Sequence, residues 1–133
     1  MNDEGAWFTT TRQRTVYEGF ATVRIDTVVA PDGQTIEREI VEHADAVAIV
    51  PITSRGEVVL LKQYRQPLGS YLLEVPAGKI DVEGESPEAT AQRELREECR
   101  REAGELRWLT TFYNSAGWAT ERTFVYLATD LRE

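Results

Sequence analysis

The sequence predicts an α+β domain built on a mixed β-sheet. Runs rich in Val, Ile, Thr, Tyr and Phe fill the first three-fifths of the chain, one amphipathic helix follows, and two further β-type runs come after it. That order is not a βαβ repeat. At 133 residues and 15.1 kDa, surface scaling gives about 7,000 Å² folded against roughly 22,000 Å² unfolded, so a core is feasible without disulfides or structural zinc.

Taken in order, Thr15 to Val29 reads as β-structure, and Pro31-Asp32-Gly33 supplies turn chemistry before a second run at Thr35 to Val41, which predicts a hairpin. Ala46 to Ile52 and Val58 to Leu61 are apolar runs split by Ser54-Arg55-Gly56. They fit strands buried on both faces, the second extending through Tyr64. Pro67, Gly69 and Ser70 mark a turn before Tyr71 to Val75, and after Pro76-Ala77-Gly78 the pattern changes. Ser86-Pro87-Glu88 is a helix start: the serine caps free N–H groups, and the proline stands where it has no hydrogen bond to lose. Ala91, Leu95 and Cys99 give that helix a narrow apolar stripe, and it is expected to run to about Arg101 or Ala103. Leu106 to Tyr113 and Thr123 to Ala128 read as strands joined by a loop through Asn114-Ser115-Ala116-Gly117-Trp118.

With 15 Lys plus Arg against 23 Asp plus Glu, the net charge is −8, which disfavours nonspecific nucleic-acid binding. The opening residues include Asp3 and Glu4, and no apolar run approaches 18 residues, so neither a signal peptide nor a membrane span is expected. The lone Cys99 and lone His43 exclude an intrachain disulfide and a Cys/His zinc cluster, and a reducing cytoplasm fits. Cys99 reads as a small core residue and His43 as a plain surface histidine.

Arg93-Glu94-Leu95-Arg96-Glu97-Glu98 carries the chemistry. Glu94, Glu97 and Glu98 stand at i, i+3 and i+4 and project from one helix face. A helix arranged for salt bridges would alternate signs, whereas these are like-charge neighbours crowding the C-terminal half, where the helix dipole disfavours anions by ~0.3–1 kcal/mol each. A bound dication offsets both penalties, and carboxylate-only ligands suit Mg²⁺, with Mn²⁺ able to substitute.

Upstream, Gly78 and Glu85 bound a loop, and seven residues separate Glu85 from Arg93. This array resembles the signature of the Nudix hydrolases, Gly-x5-Glu-x7-Arg-Glu-U-x-Glu-Glu-x-Gly-U with U aliphatic. Here six residues separate Gly78 from Glu85, and Arg100 and Arg101 stand at the late glycine and aliphatic positions. A left-handed Arg100 would cost about 1 kcal/mol, the alternative being a helix that runs on to Gly104. Gln63-Tyr64-Arg65-Gln66-Pro67, Leu73-Glu74-Val75-Pro76-Ala77-Gly78 and Phe112 to Gly117 with Glu121 are similar to the ADP-ribose pyrophosphatase branch of that family, so the resemblance covers nearly the whole chain.

What the resemblance implies is specific. The fold would be a Nudix-like mixed β-sheet sandwich with the signature loop-helix and N-terminal antiparallel strands, lacking the usual C-terminal strand and helix. Residues 1–133 would form a single domain, 1–44 supplying strands for exchange in a homodimer and 45–133 the catalytic core. The Ala77 carbonyl with Glu94, Glu97 and Glu98 would hold the metal, Glu85 and Arg93 would brace the Gly78 loop against the helix, and Arg65 and Glu74 would bind substrate. Glu121 is a further substrate-binding candidate, and Trp118 is a candidate for stacking on a base. Trp7 and Trp108 are expected in the core or at the dimer contact. The activity implied is metal-dependent hydrolysis of the diphosphate bond of a nucleoside diphosphate linked to another moiety, ADP-ribose or a related ADP-sugar, with Glu94, Glu97 and Glu98 as the catalytic carboxylates. Glu97, Glu121 and the metal-activated water stay open as proton acceptors. The alternative is a non-catalytic Nudix-like domain that binds nucleotides or acts as a sensor.

Overall fold

Phe20 occupies a turn inside the run from Thr15 to Val29 that the sequence predicts as β-structure. The computed structural model describes residues 7–133, so the opening stretch with Asp3 and Glu4 lies outside the described residues. The expected run from Thr15 is two strands, β1 (Thr9–Glu18) and β2 (Thr22–Val29), paired antiparallel with Glu18 opposite Thr22. Only Gly19 marks that turn in the sequence, and the apolar Phe20 and Ala21 beside it disguise it. The predicted hairpin follows: β2 pairs with β3 (Thr35–Glu42) from Thr22 opposite Glu42 to Val29 opposite Thr35. Its turn has Gly33 at φ +85°, and the Asp32 carboxylate accepts from the Gln34 N–H at 3.0 Å.

The described backbone divides into two compact units, one running to His43 and including Tyr113–Glu121, the other comprising Ala44–Phe112 and Arg122–Glu133. In the first unit every residue of β1 is exposed, while Asp26 and Val28 of β2 are buried. Asp26 is held by Arg24 at 2.8 Å and by Gln13 at 3.3 Å, and Arg24 also pairs with Glu42. The hydrogen bond from Arg24 outweighs burial and keeps the Asp26 carboxyl below its ordinary value. The 113–121 segment joins this unit through Val41 N–H to the Trp118 carbonyl at 2.7 Å and Thr120 N–H to the Val41 carbonyl at 3.0 Å.

The second unit is organised around β4 (Ala46–Pro51), which pairs antiparallel with β7 (Ala77–Lys79) and parallel with β9 (Arg122–Arg132); β8 (Glu102–Tyr113) lies outside β9. A separate hairpin joins β5 (Leu61–Arg65) and β6 (Ser70–Glu74) through a 3-10 turn at Gln66–Leu68, closed by Gly69 at φ +59°. The expected strand at Val58 to Leu61 is a correction: Val58 makes one isolated bridge to Ile52, Val58 and Leu60 are about half-exposed, and regular pairing begins only at Leu61. β4 alternates too, burying Val47, Ile49 and Pro51.

Helix α1 (Pro87–Cys99) packs on β4 and β7, with Ala91 and Leu95 joining Val47, Ile49, Ala103, Tyr126 and Ala128 in the core. Ser86 Oγ accepts from the Ala89 N–H at 3.1 Å, the cap the sequence signals. The far end is shorter than expected. Arg100 takes the left-handed conformation, φ 53° and ψ 41°, and its N–H reaches the Arg96 carbonyl, an αL closure, while the Arg101 N–H reaches the Leu95 carbonyl. Gln92 then grips Ala103 through two bonds, 2.7 Å to its carbonyl and 3.0 Å from its N–H, turning the chain into β8 where a helix to Ala103 or Gly104 would have continued. Cys99 is half-buried at this end rather than in the core. Trp7 and Trp108 are also not core residues: 78% and 56% of their surfaces are exposed.

Candidate active site

Three pieces of the second unit converge. β7 brings Ala77 and Gly78, α1 brings Glu94, Glu97 and Glu98, and the β5–β6 hairpin brings Arg65 and Glu74. Gly78 is there because Glu94 lies against the strand: a Cβ at Gly78 would stand 2.1 Å from the Glu94 carboxyl carbon. Glu94 itself is 8% exposed. Burial pushes its pKa up against the opposing charge of Arg93, and Glu98 and Glu97 push it further up. Glu98 accepts from the Ala77 N–H at 3.1 Å, yet burial keeps its pKa raised as well. Glu97 is the exposed member of the three.

Alternation places Arg65 and Glu74 on one face of their hairpin, Arg65 opposite Ser70 and Glu74 opposite Leu61. They meet diagonally in a two-point ion pair, Nε to Oε2 at 2.7 Å and Nη2 to Oε1 at 2.9 Å. That bond holds the Glu74 carboxyl below its usual value, and Arg65 is close enough for its charge to lower the pKa of Glu98 while that of Glu74 raises it.

Arg93 is the hub of the loop. Its Nε donates to Glu85 at 3.1 Å, its Nη1 donates to Glu94 at 2.8 Å and stands 3.5 Å from Glu97, and its Nη2 lies 3.5 Å from the Lys79 carbonyl and 3.7 Å from Asp81. The chain from Lys79 to Glu85 is thus tied to α1. Asp81 was not singled out by sequence reasoning; its only signal was a carboxylate in the loop that precedes an arginine-bearing helix.

By donor chemistry the residues fit a hard divalent cation: three carboxylates beside a backbone carbonyl, oxygen only, with two of the acids under-neutralised. Among the described residues, however, no three acidic, histidine or cysteine side chains are already gathered around one point. Glu94 is turned onto Arg93 and Glu98 onto the Ala77 N–H.

Trp118 and Glu121 belong to the first unit. Trp118 is 56% exposed, and Glu121 lies 3.6 Å from His43 Nδ1. His43 is therefore not the plain surface histidine expected: its side chain is 15% exposed, its ring packs on Phe20 at 5.1 Å, and its backbone N–H is bound by Thr120 Oγ1 at 3.1 Å. Its position between two strands, close in space to the 113–121 loop, had no signal in the sequence.

A family model described as NUDIX domain matches residues 42–133. The chain is 44% identical over 109 residues to the methanol dehydrogenase activator of Bacillus methanolicus, covering 82% of this chain and 58% of that protein. It is 44% identical over 128 residues to an ADP-ribose pyrophosphatase of Mycobacterium tuberculosis, covering 95% of this chain and 61% of that one. The chain therefore spans about three-fifths of the length of these curated relatives. A crystal structure of an ADP compounds hydrolase superposes with a TM-score of 0.84 at 28% identity, over 94% of this chain and 68% of that one. The mixed-sheet α+β fold of this chain therefore matches that structure over the part that superposes.

Proposed function

The chain belongs to the NUDIX domain family, and from that premise we propose that it is a divalent-cation-dependent hydrolase of the diphosphate bond in ADP-ribose or a related ADP-sugar. The observation that carries this reading is the trio of Glu94, Glu97 and Glu98 beside Ala77 and Gly78, flanked by the Arg65–Glu74 pair. The names of the ADP-ribose pyrophosphatase and ADP compounds hydrolase relatives support the substrate class.

Glu94, Glu97, Glu98 and the Ala77 carbonyl would hold Mg²⁺ or Mn²⁺. A cation held there would supply charge neutralisation for the diphosphate and acidification of a water. The protein's own groups do the positioning. Arg65 commits Nε and Nη2 to Glu74, which fixes the guanidinium plane and leaves Nη1 to donate to a diphosphate oxygen. Glu85 and Arg93 hold the loop on α1 so that β7 presents its carbonyl. Glu97, exposed, is the proton acceptor that this cluster offers most directly. For Trp118 and Glu121, stacking on a base and substrate binding rest on the family resemblance alone.

The fully exposed β1, with Val16 and Tyr17 of that strand and Trp7, Phe8 and Phe20 around it among the exposed large apolar residues, supports a homodimer through the N-terminal strands. Light scattering at a dimer mass supports it, and a monomer mass contradicts it. Among the described residues no helix is long and apolar enough to cross a membrane, and the free Cys99 suits a cytoplasmic location.

The test is incubation with ADP-ribose, ADP-glucose, a diadenosine polyphosphate and NADH, with and without Mg²⁺, resolving products by chromatography. Mg²⁺-dependent AMP release from an ADP-sugar supports the reading. Folded protein that binds Mg²⁺ but releases no product from any of them contradicts it in favour of a non-catalytic binding domain.

A further inference from the structure

We propose that Tyr71 is a positioning residue for Arg65, holding the β5–β6 hairpin in the twist at which Arg65 reaches Glu74 and keeps Nη1 for the diphosphate; the inference rests on the hydrolase reading above. The hairpin stands alone: among the described residues its two strands form a sheet of their own, with no third strand beside them. A lone two-stranded ribbon is only marginally stable and twists more than a strand inside a wider sheet. Arg65 sits in the last ladder pair, opposite Ser70, and Glu74 in the first, opposite Leu61, so roughly 13 Å of strand separates the two levels. Only nearly extended side chains bridge such a diagonal, yet the two meet at 2.7 and 2.9 Å. A change of twist would carry the ends of that diagonal apart.

What holds the ribbon lies on its other face. Lys62, Tyr64, Tyr71 and Leu73 alternate with the positions of Arg65 and Glu74 and so project to the opposite side. Tyr64 and Tyr71 stand directly across from each other, their rings 5.4 Å apart and inclined at 68°, an edge-to-face contact. Lys62 Nζ lies 5.2 Å from the centre of the Tyr71 ring. Both cross-strand contacts therefore converge on Tyr71, which stands one ladder pair from Arg65. Tyr71 is 62% exposed, so these contacts, rather than burial in a core, are what its side chain contributes.

The experiment measures kcat and KM for Mg²⁺-dependent hydrolysis of ADP-ribose by the whole chain and by Tyr71→Ala, Tyr71→Phe and Leu73→Ala, with the exchange rate of the Arg65 Nε–H followed by NMR in each. The Arg65 signal is identified by its loss in Arg65→Lys. Leu73→Ala removes an exposed apolar side chain from the same face and leaves both ring contacts in place. In Tyr71→Ala, KM is expected to rise about fivefold with kcat nearly unchanged, the scale of one cross-strand aromatic pair, and the Nε–H to exchange about fivefold faster. Tyr71→Phe, which keeps the ring, and Leu73→Ala should match the parent, and all four proteins should melt together. Parent values of KM or of exchange in Tyr71→Ala, or equal changes in Tyr71→Phe or Leu73→Ala, overturn the proposal while the hydrolase reading stands. A parent chain that hydrolyses no ADP-ribose overturns that reading, and exchange of the Arg65 Nε–H then decides alone whether Tyr71 positions that side chain.

Discussion

Arg100, just past the end of α1, holds a left-handed backbone, φ 53°, where a residue without a Cβ would be unstrained. The αL closure needs that conformation whatever the side chain, because the Arg100 and Arg101 N–H groups turn back to Arg96 and Leu95. Arg100→Gly is expected to stabilise the protein by about 0.5–1 kcal/mol, relief of the strain outweighing the added freedom of the unfolded chain. Urea denaturation reads this directly, and an unchanged or lower midpoint contradicts it. At the same scale, the spacing of Glu94, Glu97 and Glu98 announced their common face but not their unequal surroundings. Glu94 is buried against Gly78 and Glu97 is exposed, a difference set by β7, which lies remote in sequence.

Elements explain why the site is where it is. β4 fixes β7 by pairing Ala48 with Ala77, and α1 packs across both, so the carboxylates of one helix meet the backbone of one short strand. Gly78→Ala tests that close approach. The new methyl would collide with the far end of Glu94, a flexible side chain, so the fold should survive with the carboxylate displaced. We expect Mg²⁺ affinity and turnover to fall by about tenfold while the melting temperature changes little. Full affinity in Gly78→Ala would show that the contact does not matter. Elements also mark the limits of the sequence. Turn chemistry at Asp32-Gly33 and capping chemistry at Ser86-Pro87 are local and were legible. The turn at Phe20, the end of α1 at Cys99 and the late start of β5 were not, because each depends on strand pairing or on the Gln92 grip on Ala103.

On the scale of the whole molecule, the net charge of −8 makes stability sensitive to how each carboxylate is held. Asp26 is buried in the first unit with its pKa lowered by the Arg24 hydrogen bond. A carboxyl lowered in the folded state contributes stability that is present above its unfolded value and lost as pH falls through the folded one. Stability should therefore decline as the pH drops below the ordinary aspartate value of 3.8, and Asp26→Asn should be less stable at neutral pH with a flatter acid limb. An Asp26→Asn acid limb as steep as the parent's would exclude this group as a source. The fold class and the carboxylate helix were legible because both are written in local periodicity. The membership of 113–121 in the first unit was not, because it depends on that segment joining strands some seventy residues earlier, as Trp118 does with Val41.

The proposed hydrolysis of a nucleoside diphosphate linkage rests on the α1 carboxylates beside Ala77. The most direct test is the rate of Mg²⁺-dependent AMP release from ADP-ribose by the parent and by Glu98→Gln, with the melting temperature of each measured alongside. A loss of roughly a hundredfold or more at an unchanged melting temperature is expected, the scale of removing one key electrostatic contact. Equal rates in the two proteins would remove Glu98 from the chemistry and contradict a carboxylate-held cation as its source.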